Sequence, residues 1–134
     1  MKTILTLLFV LFAVPAFAAD GDPCSTGNTY AGGACWLLCD AETADVACAE
    51  FRLPGFYRAL ALELQYASCT AGTVVVTQTS VSGDATPDTL ATMTVGGTET
   101  VHIQGDSAHP MRFLTATTSG MSACTLDVRI HAVQ

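Results

Sequence analysis

The hydrophobic pattern of the chain changes character near Pro54. From there onward apolar and polar residues alternate, which is typical of strands that bury one face. In the first such segment, residues 56–66, Leu60, Leu62 and Leu64 share one face of a strand. A helix would place Leu62 opposite the other two leucines. The segment is therefore predicted to be a strand.

Five further strands follow by the same reasoning. They span residues 73–81, 89–95, 98–103, 111–118 and 124–133. The turn-forming stretch 82–88 and the hairpin-type pair Gly96-Gly97 separate neighbouring strands. In the last strand, even-numbered residues from Leu126 to Ala132 are expected to face inward, with Asp127, Arg129 and His131 outward. Six strands without a long helical segment predict an all-β fold, an antiparallel β-sandwich of jelly-roll or Ig-like type.

Residues 1–18 have the pattern of a cleavable signal peptide. Lys2 supplies a positive start, residues 4–14 form a mostly apolar run, and Ala16 and Ala18 provide the small side chains that signal peptidase requires. The run is shorter than the roughly 20 residues of a membrane-spanning helix, and two aspartates follow it closely. We therefore predict cleavage before Ala19, a secreted or periplasmic location, and no membrane span in the mature chain.

Removal of this peptide leaves a strongly acidic chain of about 116 residues, a length that suits one domain. It holds four arginines, no lysine and all twelve carboxylates, so its formal net charge is −8. Nucleic acids and anionic membranes are bound through basic surfaces. The composition therefore argues against both as partners.

All six cysteines follow the expected cleavage site: Cys24, Cys35, Cys39, Cys48, Cys69 and Cys124. An even number in an exported chain favours disulfides, although the spacing of Cys35 and Cys39 would also suit half of a zinc site. A Cys69–Cys124 bond is predicted, because antiparallel first and last strands would bring these two positions together. The pairing of the first four cysteines stays open.

Residues 19–54 differ from the rest of the chain. They hold four cysteines and the only tryptophan, Trp36, and their apolar positions show no regular period. We interpret them as a Cys-rich N-terminal extension that depends on disulfides for its order. The predicted organisation is a signal peptide (1–18), this extension (19–54) and a sandwich domain (55–134).

The residues that could carry chemistry do not form a recognisable motif. The candidate bases are His102, His109 and His131, and the candidate calcium ligands are Asp40, Glu42, Asp45, Asp84 and Asp88. Residues 105–108 resemble the Gly-Asp-Ser start of one lipase class but lack its following leucine and its later Asp-x-x-His segment. The acids do not follow the EF-hand pattern. We predict polar loops at these places, and no catalytic residue, cofactor or metal.

Two further features bear on partners. Arg112 and Arg129 lie on predicted strands, where pairing with an acid such as Asp127 or Glu63 is expected and a ligand clamp is the alternative. Residues 70–82 and 89–97 carry no charge and are rich in threonine. Charges normally keep exposed sheet edges apart. Their absence suggests sheet surfaces or edges covered by a neighbouring subunit, with a threonine-rich surface on a monomer as the alternative.

A predicted strand at residues 74–80 ends in Gln-x-Ser and is followed by the turn Gly83-Asp84, by Leu90 and by the arginine-containing triplet 111–113. This pattern resembles that of β-sandwich domains of phage and other surface structural proteins. It covers about residues 56–133. The resemblance implies a sandwich fold and a role in assembly or binding.

These observations predict a noncatalytic extracytoplasmic structural or binding module. Its partner would be a second copy of itself, a surface protein or a glycan. One alternative is a small secreted hydrolase, which would require an ordered cleft lined by histidine or paired acids. The other is a secreted inhibitor or toxin-like effector, which would present a rigid loop braced by disulfides.

Overall fold

The computed structural model describes residues 21, 23–24, 34–55, 57, 59–83, 85–104 and 112–133. The predicted signal peptide, the lipase-like residues 105–108 and His109 lie outside this part of the chain. The described residues form eight strands and no helix, and therefore no helix that could cross a membrane. The strands are β1 (Ala34–Glu42), β2 (Phe51–Arg52), β3 (Ala59–Ala67), β4 (Ala71–Thr79), β5 (Asp88–Thr94), β6 (Thr100–Gln104), β7 (Phe113–Ser122) and β8 (Thr125–Val133).

The strands form two antiparallel four-stranded sheets that pack face to face. The order is β1-β8-β3-β6 in the first sheet and β2-β7-β4-β5 in the second. The first strand thus pairs with the eighth, the second with the seventh, the third with the sixth and the fourth with the fifth. This nested pairing is that of a jelly roll. The predicted antiparallel sandwich is confirmed, and the strand order selects the jelly roll over the Ig-like type.

Alternate residues of both sheets build the core between them. Leu60 and Leu62 of β3 and Ile130 of β8 come from the first sheet, and Val76 of β4 and Met93 of β5 from the second. Each is at most 1% exposed. Residues 59–67, where a helix was the alternative, are a strand because all three leucines at alternate positions enter this core.

The sandwich begins earlier in the chain than the sequence suggested. β1 lies inside the interval assigned to an N-terminal extension, yet it pairs with β8 over most of its length. Leu37, Leu38 and Cys39 are buried one after another, because register shifts on both sides of Cys39 interrupt the alternation. A bulged strand lacks the period-two signal, which is why residues 19–54 appeared irregular. Residues 34–42 and 51–52, which lie before the predicted boundary at residue 55, thus contribute strands to the two sheets.

The first sheet is extended at β1 by a short piece of the chain. The amide of Gly21 donates to the carbonyl of Leu37 at 2.6 Å, and that of Cys24 donates to the carbonyl of Cys35 at 3.1 Å. Pro23 forms a single antiparallel bridge to Trp36 between these bonds. A Cys24–Cys35 disulfide fastens this piece to β1.

The second sheet is extended in a similar way beside β7. The amide of Cys48 donates to the carbonyl of Ala116 at 2.9 Å, and the amide of Thr118 donates to the carbonyl of Val46 at 2.8 Å. The buried Thr118 hydroxyl also donates to the carbonyl of Ala44 and accepts the amide of Val46. A Cys39–Cys48 disulfide ties this segment to β1.

The third disulfide joins Cys69 to Cys124, the pair that the strand positions predict. Cys69 lies where the chain passes from β3 in the first sheet to β4 in the second, and Cys124 lies where it returns from β7 to β8. Ser68 and Ala123, the residues just before them, both have positive φ values, of 58° and 48°. With no free cysteine in the described part, the chain has the covalent pattern of an oxidising, extracytoplasmic compartment.

Candidate functional site

Ionisable side chains gather on the outer face of the first sheet. Glu63 and Gln65 of β3 lie beside Arg129 and Asp127 of β8 in the strand register, and His131 follows one position along. We call these five residues the polar cluster. Alternation along both strands places them opposite the buried leucines and Ile130, so they share one surface of the sandwich. The cluster is the densest group of titratable side chains that the described strands bring together.

His131 and Glu63 form the closest contact of the cluster. The imidazole Nε2 lies 2.8 Å from the Oε2 of Glu63. The side chain of His131 is only 6% exposed, whereas that of Glu63 is 31% exposed. The sequence predicted that His131 points outward, and it does lie on the outer face of the first sheet. It is nevertheless buried there, with Cys35 opposite it on β1 and Ala61 opposite it on β3.

The charge on Glu63 is stabilised by its neighbours. Partial desolvation raises the pKa of the Glu63 carboxyl, but hydrogen bonds from Gln65 and His131 act in the other direction. The positive charges of His131 and Arg129 lower it further, and the net result is a pKa below the ordinary value. Glu63 is thus held as a carboxylate and does not have the raised pKa that a general acid needs at neutral pH.

Asp127 and Arg129 are also occupied by contacts within the protein. The Oδ2 of Asp127 lies 3.6 Å from the Nη2 of Arg129, and its Oδ1 accepts the amide of Ala41 at 2.8 Å. Ala41 has a positive φ of 51° at the bulge in β1, so Asp127 holds that bulge in place. Arg129 thus pairs with Asp127, one of the two acids that the sequence suggested, but the two residues lie on the same strand and the pairing is not the expected cross-strand one. These contacts support a structural role for the two residues.

A shallow cleft of about 220 Å³ lies at one end of this surface. It is lined by Gln65, Tyr66, Ala67, Thr125 and Asp127. Its only carboxylate is Asp127, and both carboxylate oxygens of Asp127 are already engaged. The cleft contains no histidine or second acid, so it is not the catalytic cleft that the hydrolase alternative would require.

The other predicted candidates lie apart from one another. His102 is exposed on β6, and Arg112 lies just before β7 instead of within it. Asp45 accepts the amide of Met121 at 2.8 Å, and Asp88 begins β5. Asp40 and Glu42 lie on β1 and Asp84 is not described. Within the described ranges, no three metal-ligating side chains come close enough to hold an ion.

One acid outside the predicted set braces a loop. The carboxylate of Glu50 accepts hydrogen bonds from the hydroxyl of Ser82 and from the amide of Gly83. The bond from Ser82, followed by the one from Gly83, lowers the pKa of this exposed carboxyl below its ordinary value. The contact ties the segment before β2 to the turn after β4, which makes it structural.

The outer face of the second sheet has a different chemistry. Its residues alternate with the buried Val74, Val76, Met93, Leu114 and Ala116. We call the part of it on β4, β5 and β7 the threonine face, and its residues include Thr73, Val75, Thr77, Thr79, Thr92, Thr115, Thr117 and Ser119. Phe113 lies on the same face, opposite Thr79. β4 and β7 contain no charged residue, and β5 contains none after Asp88. The face is therefore a continuous uncharged surface across three strands.

The threonine face was easier to predict from the sequence than the polar cluster. A run of uncharged, threonine-rich strands is visible without knowing which strands pair. The polar cluster depends on β3 lying beside β8, although the two strands are far apart in the chain. Alternation could have placed Glu63 and His131 on outer faces, but only the strand order brings them within 2.8 Å.

Comparison of the chain with protein-family models, with curated proteins and with solved structures finds no significant match.

Proposed function

We propose that this protein is a noncatalytic extracytoplasmic structural module that associates with further copies of itself through the threonine face. The observation that carries the proposal is the absence of charge from β4, β7 and nearly all of β5 in a strongly acidic chain. The sequence pattern of residues 56–133, which resembles that of sandwich domains of surface structural proteins, would imply the same kind of role.

Charge repulsion gives the proposal its physical basis. Two copies that each carry a net charge near −8 repel each other over most of their surfaces. The repulsion is weakest where the approaching surfaces hold no acids. Threonine offers a methyl group for packing and a hydroxyl for hydrogen bonding. The Thr77 hydroxyl lies 3.4 Å from the Thr115 carbonyl and so stays close to the sheet. The face is thus suited to a partner that is itself uncharged.

The contacts within the polar cluster also support a noncatalytic role. A catalytic histidine must reach its substrate, and the His131 side chain is 6% exposed with its Nε2 directed at Glu63. Its four neighbours bond to one another or to the backbone. The cluster is better suited to fixing the register of β1, β3 and β8 than to reacting with a ligand.

Sedimentation equilibrium of the disulfide-bonded protein tests the proposal. The weight-average mass of the wild type should rise with concentration. Thr117→Lys places a charge at an exposed position on the threonine face and should lower that mass at every concentration. Thr125→Lys is the matched control, because Thr125 is equally exposed but lies on the outer face of the first sheet.

Two results would contradict the proposal. One is a wild-type mass that stays at that of a single chain over the whole concentration range. The other is an equal loss of mass for Thr117→Lys and Thr125→Lys, which would show that added charge acts without regard to the face.

A further inference from the structure

β6 is the edge strand of the first sheet on the side opposite to β1. It pairs with β3 on one side, in a regular register from Ala59–Gln104 to Glu63–Thr100 without a bulge. No described strand lies on its other side. A strand with one unpaired side presents backbone donors and acceptors to any further strand.

The residues of β6 that present these groups can be identified. The amide of Leu64 donates to the carbonyl of Glu99 at 2.8 Å, so Glu99 directs its carbonyl toward β3. Backbone groups alternate sides along an antiparallel strand. Val101 and Ile103 therefore also bond to β3, whereas Thr100, His102 and Gln104 direct their amides and carbonyls away from it. These three residues form the outward edge.

The strands β1, β7 and β5 each have a feature that limits the addition of a further strand. The piece that contains Pro23, fixed by a disulfide, covers β1, and the segment at Val46–Cys48, fixed by another, flanks β7. β5 has a register shift opposite Val76–Thr77, and such bulges interrupt strand addition. β6 has none of these devices in the part of the chain that the structure describes, and it contains neither lysine nor proline.

We propose that β6 is a homodimer edge, at which the β6 strand of a second copy adds antiparallel and joins two first sheets into one of eight strands. Antiparallel pairing of identical strands has two-fold symmetry. Only a two-fold axis at His102 engages all three outward residues of each copy. It places His102 opposite His102, and Thr100 opposite Gln104. A second copy is therefore a self-complementary partner for this edge.

The side chains of β6 fit this arrangement. Val101 and Ile103 face the core side but remain only half-buried, and a second copy would cover their exposed flanks. No residue of β6 is a carboxylate or an arginine. The nearest acid in the chain, Glu99, has its carboxylate engaged by the hydroxyl of Tyr66 and the amide of Gly96. Like-charge repulsion across the two-fold axis is thereby small.

This contact does not depend on the threonine face, which lies on the other sheet. If both contacts form, each copy has two different self-complementary surfaces, and assembly continues beyond a dimer. Thr117→Lys should then reduce larger assemblies to a dimer held by β6. The Thr117→Lys protein is therefore the background in which the β6 contact can be measured alone.

Charge swapping at His102 tests the proposal in that background. His102→Lys and His102→Glu each place like charges opposite one another across the axis, so each should raise the dimer dissociation constant at least tenfold. An equimolar mixture of the two should dimerise again, because lysine then faces glutamate. Misfolding cannot produce such rescue. Thr125→Lys is the matched control and should leave the dimer intact, because Thr125 is exposed on β8, which β3 separates from β6.

The following results would contradict the proposed β6 contact. If Thr117→Lys is monomeric while the wild type assembles, the threonine face stands and β6 does not associate. If His102→Lys and His102→Glu both remain dimeric, or if both dissociate and their mixture stays monomeric, the two-fold pairing at His102 is wrong. If the wild type is monomeric, both the β6 contact and the threonine-face proposal fail.

Discussion

The outer faces of the two sheets share one fold but differ in chemistry. On the first sheet, Glu63, Asp127, Arg129 and His131 contact one another or the backbone. On the threonine face of the second sheet, threonines and a serine surround Val75, and the strands β4, β5 and β7 carry no charge beyond Asp88 at the start of β5. The short strand β2 of the same sheet holds Arg52. The carboxylates and the imidazole of the first face are engaged by contacts within the molecule. The second face has no charges to satisfy and presents hydroxyl and methyl groups to whatever lies against it.

The difference shows that a surface with many ionisable side chains is not for that reason a suitable surface for association. A carboxylate whose oxygens are both engaged, as in Asp127, contributes local order and gains little from a further contact. Exposed ion pairs of this kind stabilise a fold only slightly. An uncharged hydroxyl surface loses less solvation free energy than a charged surface when it is covered, provided that its hydroxyl groups are hydrogen-bonded. The second face is therefore the better association surface, although the first holds more ionisable groups.

The disulfide that couples the two sheets gives the largest expected effect. Replacing Cys69 and Cys124 together by alanine releases a 55-residue loop and should lower the free energy of unfolding by about 4 kcal/mol. Both faces should survive, because the loss acts mainly on the unfolded chain. Chemical denaturation followed by circular dichroism measures the loss.

A smaller loop provides the matched control for this change. The Cys24→Ala, Cys35→Ala double variant opens a separation of 11 residues and should lose about 1.4 kcal/mol less than the Cys69, Cys124 variant. Equal losses would show that loop length does not determine the effect. Peptide mapping under non-reducing conditions checks the disulfide pairing on which both predictions depend. A fragment that links Cys69 to any cysteine other than Cys124 would contradict that pairing.

A smaller, pH-dependent effect is expected from the first face. Glu63→Gln should reduce the free energy of unfolding by about 0.5 kcal/mol near neutral pH, because it removes the carboxylate that contacts His131. The effect is small because the Glu63 side chain is partly exposed to solvent. The pKa of Glu63 is lowered in the folded state. The stabilisation is therefore complete above the ordinary carboxyl pKa and disappears as the pH falls through the lower folded value.

A variant on the threonine face is the control for the pH dependence expected of Glu63→Gln. Thr117→Val changes an exposed, uncharged side chain and should alter stability by less than about 0.5 kcal/mol, equally at every pH. Denaturation curves between neutral and acidic pH compare the two variants. A difference between wild type and Glu63→Gln that grows on acidification would mean that Glu63 does not act as a stabilised carboxylate.

The sequence predicted those parts of the fold that depend on local alternation. Leu60, Leu62 and Leu64 indicated β3, and the hairpin pair Gly96-Gly97 lies in the turn between β5 and β6. The position of Cys69 and Cys124 at strand ends indicated their pairing. β1 was missed because its bulges break the alternation, so Leu37, Leu38 and Cys39 appeared irregular.

The surfaces were less predictable than the strands because they depend on which strands lie side by side. His131 appeared exposed, since its position alternates with the core, but Cys35 and Ala61 flank it in the assembled sheet. The outward groups of β6 could not be inferred without knowing that β3 occupies its other side. Long-range pairing is set by the whole core, and a single sequence does not reveal it.

Hydroxyl-radical footprinting over a concentration series tests the central claim most directly, because it reports the solvent exposure of individual side chains in the wild-type protein. As concentration rises, Val75 and Thr117 on the threonine face should become protected, while Gln65 and Thr125 on the first face should keep their reactivity. Protection confined to the first face, or unchanged reactivity on both faces at the highest concentration, would contradict the assignment of association to the second sheet.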